Sequence, residues 1–140
     1  MDESLLEIRN YDGEGYQPLI DYGAWRVAIL RWEQSMQPDK IDFMERHTQT
    51  DEVFVLLNGQ ATLILGGNSN RVDSIQPQKM EARKLYNVKK NVWHTVVMSK
   101  VATILIVEES NTGVDNSEYY NLTPESRKQI RDLTKTNIPR

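Results

Sequence analysis

Short runs of β-branched and aromatic residues, separated by tight-turn sequences, dominate this chain and leave room for only one helix. Trp25-Arg-Val-Ala-Ile-Leu-Arg-Trp32 reads as a strand, and the polar, Pro-containing stretch from Glu33 to Asp42 reads as a loop. The run Glu52 to Leu57 leads through Asn58-Gly59 into Gln60 to Leu65. Asn-Gly between two apolar runs predicts a hairpin, because both residues accept the positive φ of a type I′ turn. Gly66-Gly67-Asn68-Ser69-Asn70 predicts a second turn before a weaker strand, Arg71 to Ile75. Further strands are expected at Lys84 to Val88, Trp93 to Met98 and Val101 to Val107. Short strands so spaced imply a sandwich or barrel rather than a βαβ fold. The helix comes late: Thr123 as N-cap, Pro124 at its first position, Glu125 in its first turn, then Ser126 to about Thr134. Its few apolar residues, Ile130 and Leu133, make it a surface helix. The first 24 residues, with Gly13, Gly15, Pro18 and Gly23, read as an irregular arm with room for one edge strand.

The length, 140 residues, suits one domain that buries its own core, with barrel residues at about 25–110 and a helix at about 124–134. A net charge of −3 argues against nucleic acid as a partner, and Lys89-Lys90 and Arg83-Lys84 are the candidates for a local basic stripe. No apolar stretch approaches the roughly 20 residues that span a bilayer, so no membrane partner is expected. Met1-Asp-Glu-Ser-Leu-Leu-Glu7 has neither a basic n-region nor an apolar h-region, and a cytoplasmic location is the default expectation. With zero cysteines, disulfides and thiolate-ligated metals are excluded.

The chain has two histidines, His47 and His94, and both stand at the edge of a strand-like run. Alternation puts Glu52, Phe54 and Leu56 on one face of their strand, and His94, Val96 and Met98 on one face of theirs. If both faces point inward, polar ligands sit at a mouth above an apolar floor, as in a small-molecule pocket.

At these residues the sequence resembles the cupin superfamily. That family's first motif runs His-x-His, three or four residues, Glu, six residues, Gly. Glu45-x-His47, four residues, Glu52, six residues, Gly59 keeps that spacing, with Glu45 where the first His would be. The second motif runs Pro-x-Gly-x-x-His, three residues, Asn; Lys89-x-Asn91-x-x-His94, three residues, Met98 keeps only its His. The resemblance covers about Phe43 to Val107. It implies an all-β, double-stranded β-helix (jelly-roll) barrel with a short C-terminal helix, and a homodimer. It also implies a divalent transition metal, Fe, Mn, Zn or Ni, on His47, Glu52 and His94, with Glu45 as a fourth donor of different chemistry.

Each residue also has a plainer reading. His47 suits a surface loop, His94 a satisfied core position beside Trp93, Glu52 a strand-end ion pair, and Glu45 a solvated carboxylate. Arg46, between two candidate ligands, and Tyr86, on the strand before His94, are the candidate catalytic groups. Two functions follow. One is a metal-dependent isomerase, lyase or oxygenase acting on a small polar ligand, carboxylate or carbohydrate-like, drawn in by cations such as Lys89 or Lys90. The other is a metal-free or non-catalytic barrel that binds a small molecule, as the substitutions at Glu45, Lys89, Asn91 and Met98 would allow.

Overall fold

The computed structural model describes residues 1–137. These form ten strands: β1 (Gly15–Tyr22), β2 (Trp25–Arg31), β3 (Phe43–His47), β4 (Glu52–Asn58), β5 (Ala61–Leu65), β6 (Gln76–Lys79), β7 (Tyr86–Val88), β8 (His94–Met98), β9 (Thr103–Glu109) and β10 (Ser117–Asn121). One helix, α1 (Pro124–Asn137), follows. The strands build two five-stranded sheets, ordered β1-β2-β9-β4-β7 and β10-β3-β8-β5-β6. From β3 to β5 and from β7 to β10 the chain alternates between sheets, which wraps it into the expected double-stranded β-helix barrel. Among the described residues no helix is long and apolar enough to cross a membrane.

The core forms because inward positions on facing strands are apolar in register. Ala28 of β2, Ile106 of β9 and Phe54 of β4 lie side by side, and Leu30, Ile104 and Leu56 form the next row. Ala61, Leu63 and Met98 meet them from the second sheet. Each large apolar side chain so buried contributes about 1.5–3 kcal/mol. The outward face of the second sheet, with Met44, Ile64 and Val97, forms another cluster with Trp93 and Ile130. Ile130 is fully buried, so α1 covers that face rather than merely lying on the surface. Thr123 caps α1 as expected, its Oγ1 accepting from the Ser126 N–H at 3.1 Å.

Three local expectations need correction. Asn58-Gly59 is no hairpin: β4 and β5 belong to different sheets, and the dipeptide carries the chain between them. Gly59 has φ +78°, but Asn58 does not enter the left-handed region that a type I′ turn requires. Instead Asn58 Nδ2 donates to Val101 O, and a Cβ on Gly59 would meet Ala102 Cα at 2.5 Å. The strand expected at Arg71 to Ile75 lies later, at Gln76–Lys79, where Pro77 is tolerated on an edge. The strand expected at Lys84 to Val88 shortens to Tyr86–Val88. Two strands, β3 and β10, had no strand signal, being polar and poor in β-branched residues. The N-terminal arm does contain its edge strand, β1, paired antiparallel with β2.

Candidate metal centre

His47 ends β3, Glu52 begins β4 and His94 begins β8, so strand alternation turns all three into the same mouth of the barrel. All are buried, with relative exposures of 7%, 5% and 4%. Glu52 Oε1 lies 3.1 Å from His47 Nε2 and 2.9 Å from His94 Nε2. The other ring nitrogens are tied back: His47 Nδ1 to Ser117 Oγ at 2.8 Å, and His94 Nδ1 to Val92 O at 2.9 Å. A carbonyl oxygen only accepts, so Nδ1 of His94 carries a proton. In the neutral ring, Nε2 then presents a lone pair to a carboxylate oxygen. Two acceptors at this distance repel unless a cation, metal or proton, lies between them.

Burial is the largest single influence on both histidines and works against their charged forms. The hydrogen bond and charge of Glu52 outweigh it, and both pKa values rise above 6.5. Burial likewise favours a protonated Glu52, but the two imidazoles hold it well below the usual carboxylate range.

The donor chemistry fits a divalent ion. Two imidazole nitrogens and a carboxylate oxygen converge, each imidazole oriented through its second nitrogen, as metal-ligating histidines are. The separations of Glu52 Oε1 from the two imidazole nitrogens match the about 3.0 Å expected between neighbouring donors around a six-coordinate ion with bonds of about 2.1 Å. Glu45 is less committed: its carboxylate lies 4.0 Å from His47 Nε2 and its side chain is 39% exposed. Its donor atom nevertheless groups with those of His47 and His94 within 4.8 Å.

The structure also brings in groups the sequence reading passed over. Glu108, on β9, is buried in the same mouth, and its donor atom lies within 4.8 Å of those of His47 and Glu52. Its Oε1 accepts from Tyr16 Oη at 2.9 Å and from Arg26 Nη2 at 3.1 Å. Burial first, then the charge of Glu52, pushes the Glu108 pKa up against these two partners. Strand parity held the signal: Glu108 follows Ile104 and Ile106 on the inward face, and Arg26 precedes Ala28 and Leu30 on its own.

Arg46 and Tyr86 are not brought to the cluster. Arg46 points outward, pairing with Glu118 at 2.9 Å and lying over the Trp93 ring at 4.3 Å. The Tyr86 hydroxyl accepts from the Glu81 N–H at 2.8 Å, away from the histidines. Lys89 and Lys90 sit on a turn beside Asp51, where Asn91 takes φ +68°. The mouth opens into a cavity of about 740 Å³ lined by neither lysine.

Comparison with known proteins bears on the fold. No protein-family model matches the chain. It is similar to a ureidoglycolate lyase of Agrobacterium fabrum, 30% identical over 112 residues that cover 77% of this chain and 63% of the relative. It is also similar to auxin-binding protein 4 of Zea mays, 32% identical over 84 residues, 56% of this chain and 39% of that protein. The chain thus spans less than two thirds of the length of either relative. Among solved structures, the nucleoside dehydratase Pac13 aligns with a TM-score of 0.56 and 13% identity over 83% of this chain and 87% of that one. A cupin-2 domain protein of Shewanella frigidimarina aligns at 0.51 and 18% over 71% and 84%. Two antiparallel sheets wound into a barrel, with imidazoles and carboxylates at one mouth, define the class. The chain has the cupin fold, and these relatives and structures support its place in the cupin superfamily.

Proposed function

We propose that this protein holds a divalent transition metal on His47, Glu52 and His94 and acts on a small, hydroxyl-rich ligand in the cavity beside it. The observation that carries the reading is the contact between His94 Nε2 and Glu52 Oε1 at 2.9 Å, with the His94 tautomer set by Val92 O. Such a pair of acceptors calls for a cation. When bound, the ion supplies Lewis-acid polarisation of a ligand oxygen. The chain's own groups do the rest. Ser117 and Val92 orient the imidazoles, and the Phe54 and Ile106 floor below Glu52 and Glu108 excludes water from that side.

The cavity's charge bears on the ligand. Its lining carries the carboxylates of Glu33, Asp42, Glu45, Glu52 and Glu108. Among the described residues only Arg26 and Lys40 oppose them there. Counted with the ion's two positive charges, these groups still leave the mouth slightly negative, which tips the reading towards a neutral, carbohydrate-like ligand over a carboxylate. Phe43 and Tyr119, stacked edge to face at 5.7 Å in the same lining, offer apolar surface to a ring. The ureidoglycolate lyase relative makes lyase chemistry the first reaction class to assay, with isomerisation and oxygenation after it. A homodimer is part of this reading, with the exposed Trp25, its ring tilted against that of Tyr22 at 6.0 Å near the β1 edge, as the candidate contact.

A second reading rests on the same contact: a proton on His94 satisfies Glu52 as a metal would, leaving a metal-free binding barrel. His47→Ala and His94→Ala separate the two. The metal reading expects close to one ion per chain in the wild type, lost in each variant while the barrel stays folded. If both variants keep their full metal content, the ligand assignment is wrong. A wild type that carries none, and gains no thermal stability from Mn, Fe, Ni or Zn, leaves the protonated reading standing.

A further inference from the structure

We propose that Glu108, and not Glu45, supplies the second carboxylate to the ion held by His47, Glu52 and His94, with Tyr16 and Arg26 as its positioning residues. The inference rests on the metal reading above and adds a donor from β9, outside both sequence motifs.

Strand register makes the case. Arg26 of β2 is paired with Glu108 of β9, and Val107 of β9 with Val53 of β4. One position beyond that second pair, Glu108 and Glu52 therefore stand side by side on neighbouring strands, both facing inward. Like charges in that relation destabilise a sheet, and burial at 6% and 5% exposure removes the water that would screen them. Arg26 and Tyr16 compensate only one oxygen of Glu108: both donate to Oε1. Oε2 is buried and has no hydrogen-bond partner. An orphaned carboxylate oxygen is costly to keep out of water. The donor atoms of His47, Glu52 and Glu108 lie within 4.8 Å of one another, so a cation among them would supply the missing partner. Two donors on Oε1 leave Oε2 as the free, oriented ligand atom, which is the office of groups that stand behind a metal ligand. Glu45 has no such need. Its donor atom also lies within 4.8 Å of those of His47 and His94, but its side chain is 39% exposed, so solvent satisfies its charge without an ion.

The test is Mn(II) affinity of the full chain, followed by electron paramagnetic resonance, for the wild type, Glu108→Gln, Glu45→Gln and Tyr16→Phe. Glu108→Gln is expected to weaken Mn(II) binding by about 100-fold and Tyr16→Phe by about 10-fold, with Glu45→Gln close to wild type. Tyr16→Phe leaves every carboxylate in place, so its effect on affinity cannot come from a lost ligand. A purely structural Glu108 would lower the melting temperature of the metal-free protein and leave Mn(II) affinity unchanged. Wild-type affinity in Glu108→Gln, or an equal loss in Glu45→Gln, overturns the proposal while sparing the metal reading. Should Glu108→Gln fail to fold, Glu108→Asp and Tyr16→Phe decide, and unchanged affinity in both overturns it. A wild type that binds no Mn(II), and gains no thermal stability from Fe, Ni or Zn, overturns both readings.

Discussion

On β2, β9, β4 and β8 the inward positions run from Leu30, Ile104, Leu56 and Met98 at one level to Arg26, Glu108, Glu52 and His94 at another, four residues along each strand. The inward face is shared by all four strands, and the register by β2, β9 and β4; the side chains differ. At the apolar level burial itself is the stabilising term, and it responds little to pH or ions. At the polar level burial is the cost. Three ionisable groups and an arginine give up water, and direct contacts among them return only part of it. The fold is therefore secured at one end of the barrel, and the other end is free to hold groups that a stable core would reject. Phe54 and Ile106 form the boundary between them, with the Phe54 ring 5.9 Å from that of His94.

The strongest challenge to this division is Ile104→Ala. It should cost about 2–5 kcal/mol in urea unfolding, through lost burial and the cavity left behind. Metal content should not change; a variant that loses its ion would show that the two levels are coupled. Next in size is the ion's own contribution. At a free concentration 100 times its Kd it should stabilise the wild type by about 2.7 kcal/mol, and His94→Ala should abolish that gain in a thermal-shift titration.

Smaller, but specific to the polar level, is the pH dependence of the metal-free protein. His47 and His94 have folded pKa values raised above 6.5. Their contribution is complete below 6.5 and is lost as pH rises through the folded values. Glu52 is lowered from 4.5, so its contribution is present above 4.5 and lost as pH falls through its folded value. Denaturant titrations should thus show stability falling on both sides of an optimum between these limits. Ile104→Ala should lower that curve without changing its shape, and metal should lift its alkaline limb, where protons no longer compete for the imidazoles. The smallest effect is remote from both levels. Thr123→Ala should cost about 1 kcal/mol through the lost α1 cap and leave metal affinity untouched.

Much of the apolar level was legible in the sequence because β-branched residues mark β2, β4, β8 and β9 by type. The metal candidates were legible through spacing, and the structure brings His47, Glu52 and His94 together across 47 residues of chain. What escaped was polar. Phe43–His47 and Ser117–Asn121 are strands because partners on either side or at an edge hold them, not because their residues favour extension. Ser117 orients His47 from a segment with no strand signal, and Tyr16 reaches Glu108 from the arm that read as irregular. Asn58-Gly59 looked like a hairpin because its chemistry is local, whereas its role, crossing between sheets against Ala102, depends on contacts distant in sequence.

The most direct check is a crystal structure of the purified protein soaked in Mn(II), with anomalous scattering used to find the ion. One peak within bonding distance of His47 Nε2, His94 Nε2 and a Glu52 oxygen is the outcome expected here. A well-ordered mouth with His94 and Glu52 still in direct contact, and no peak between them, would contradict it.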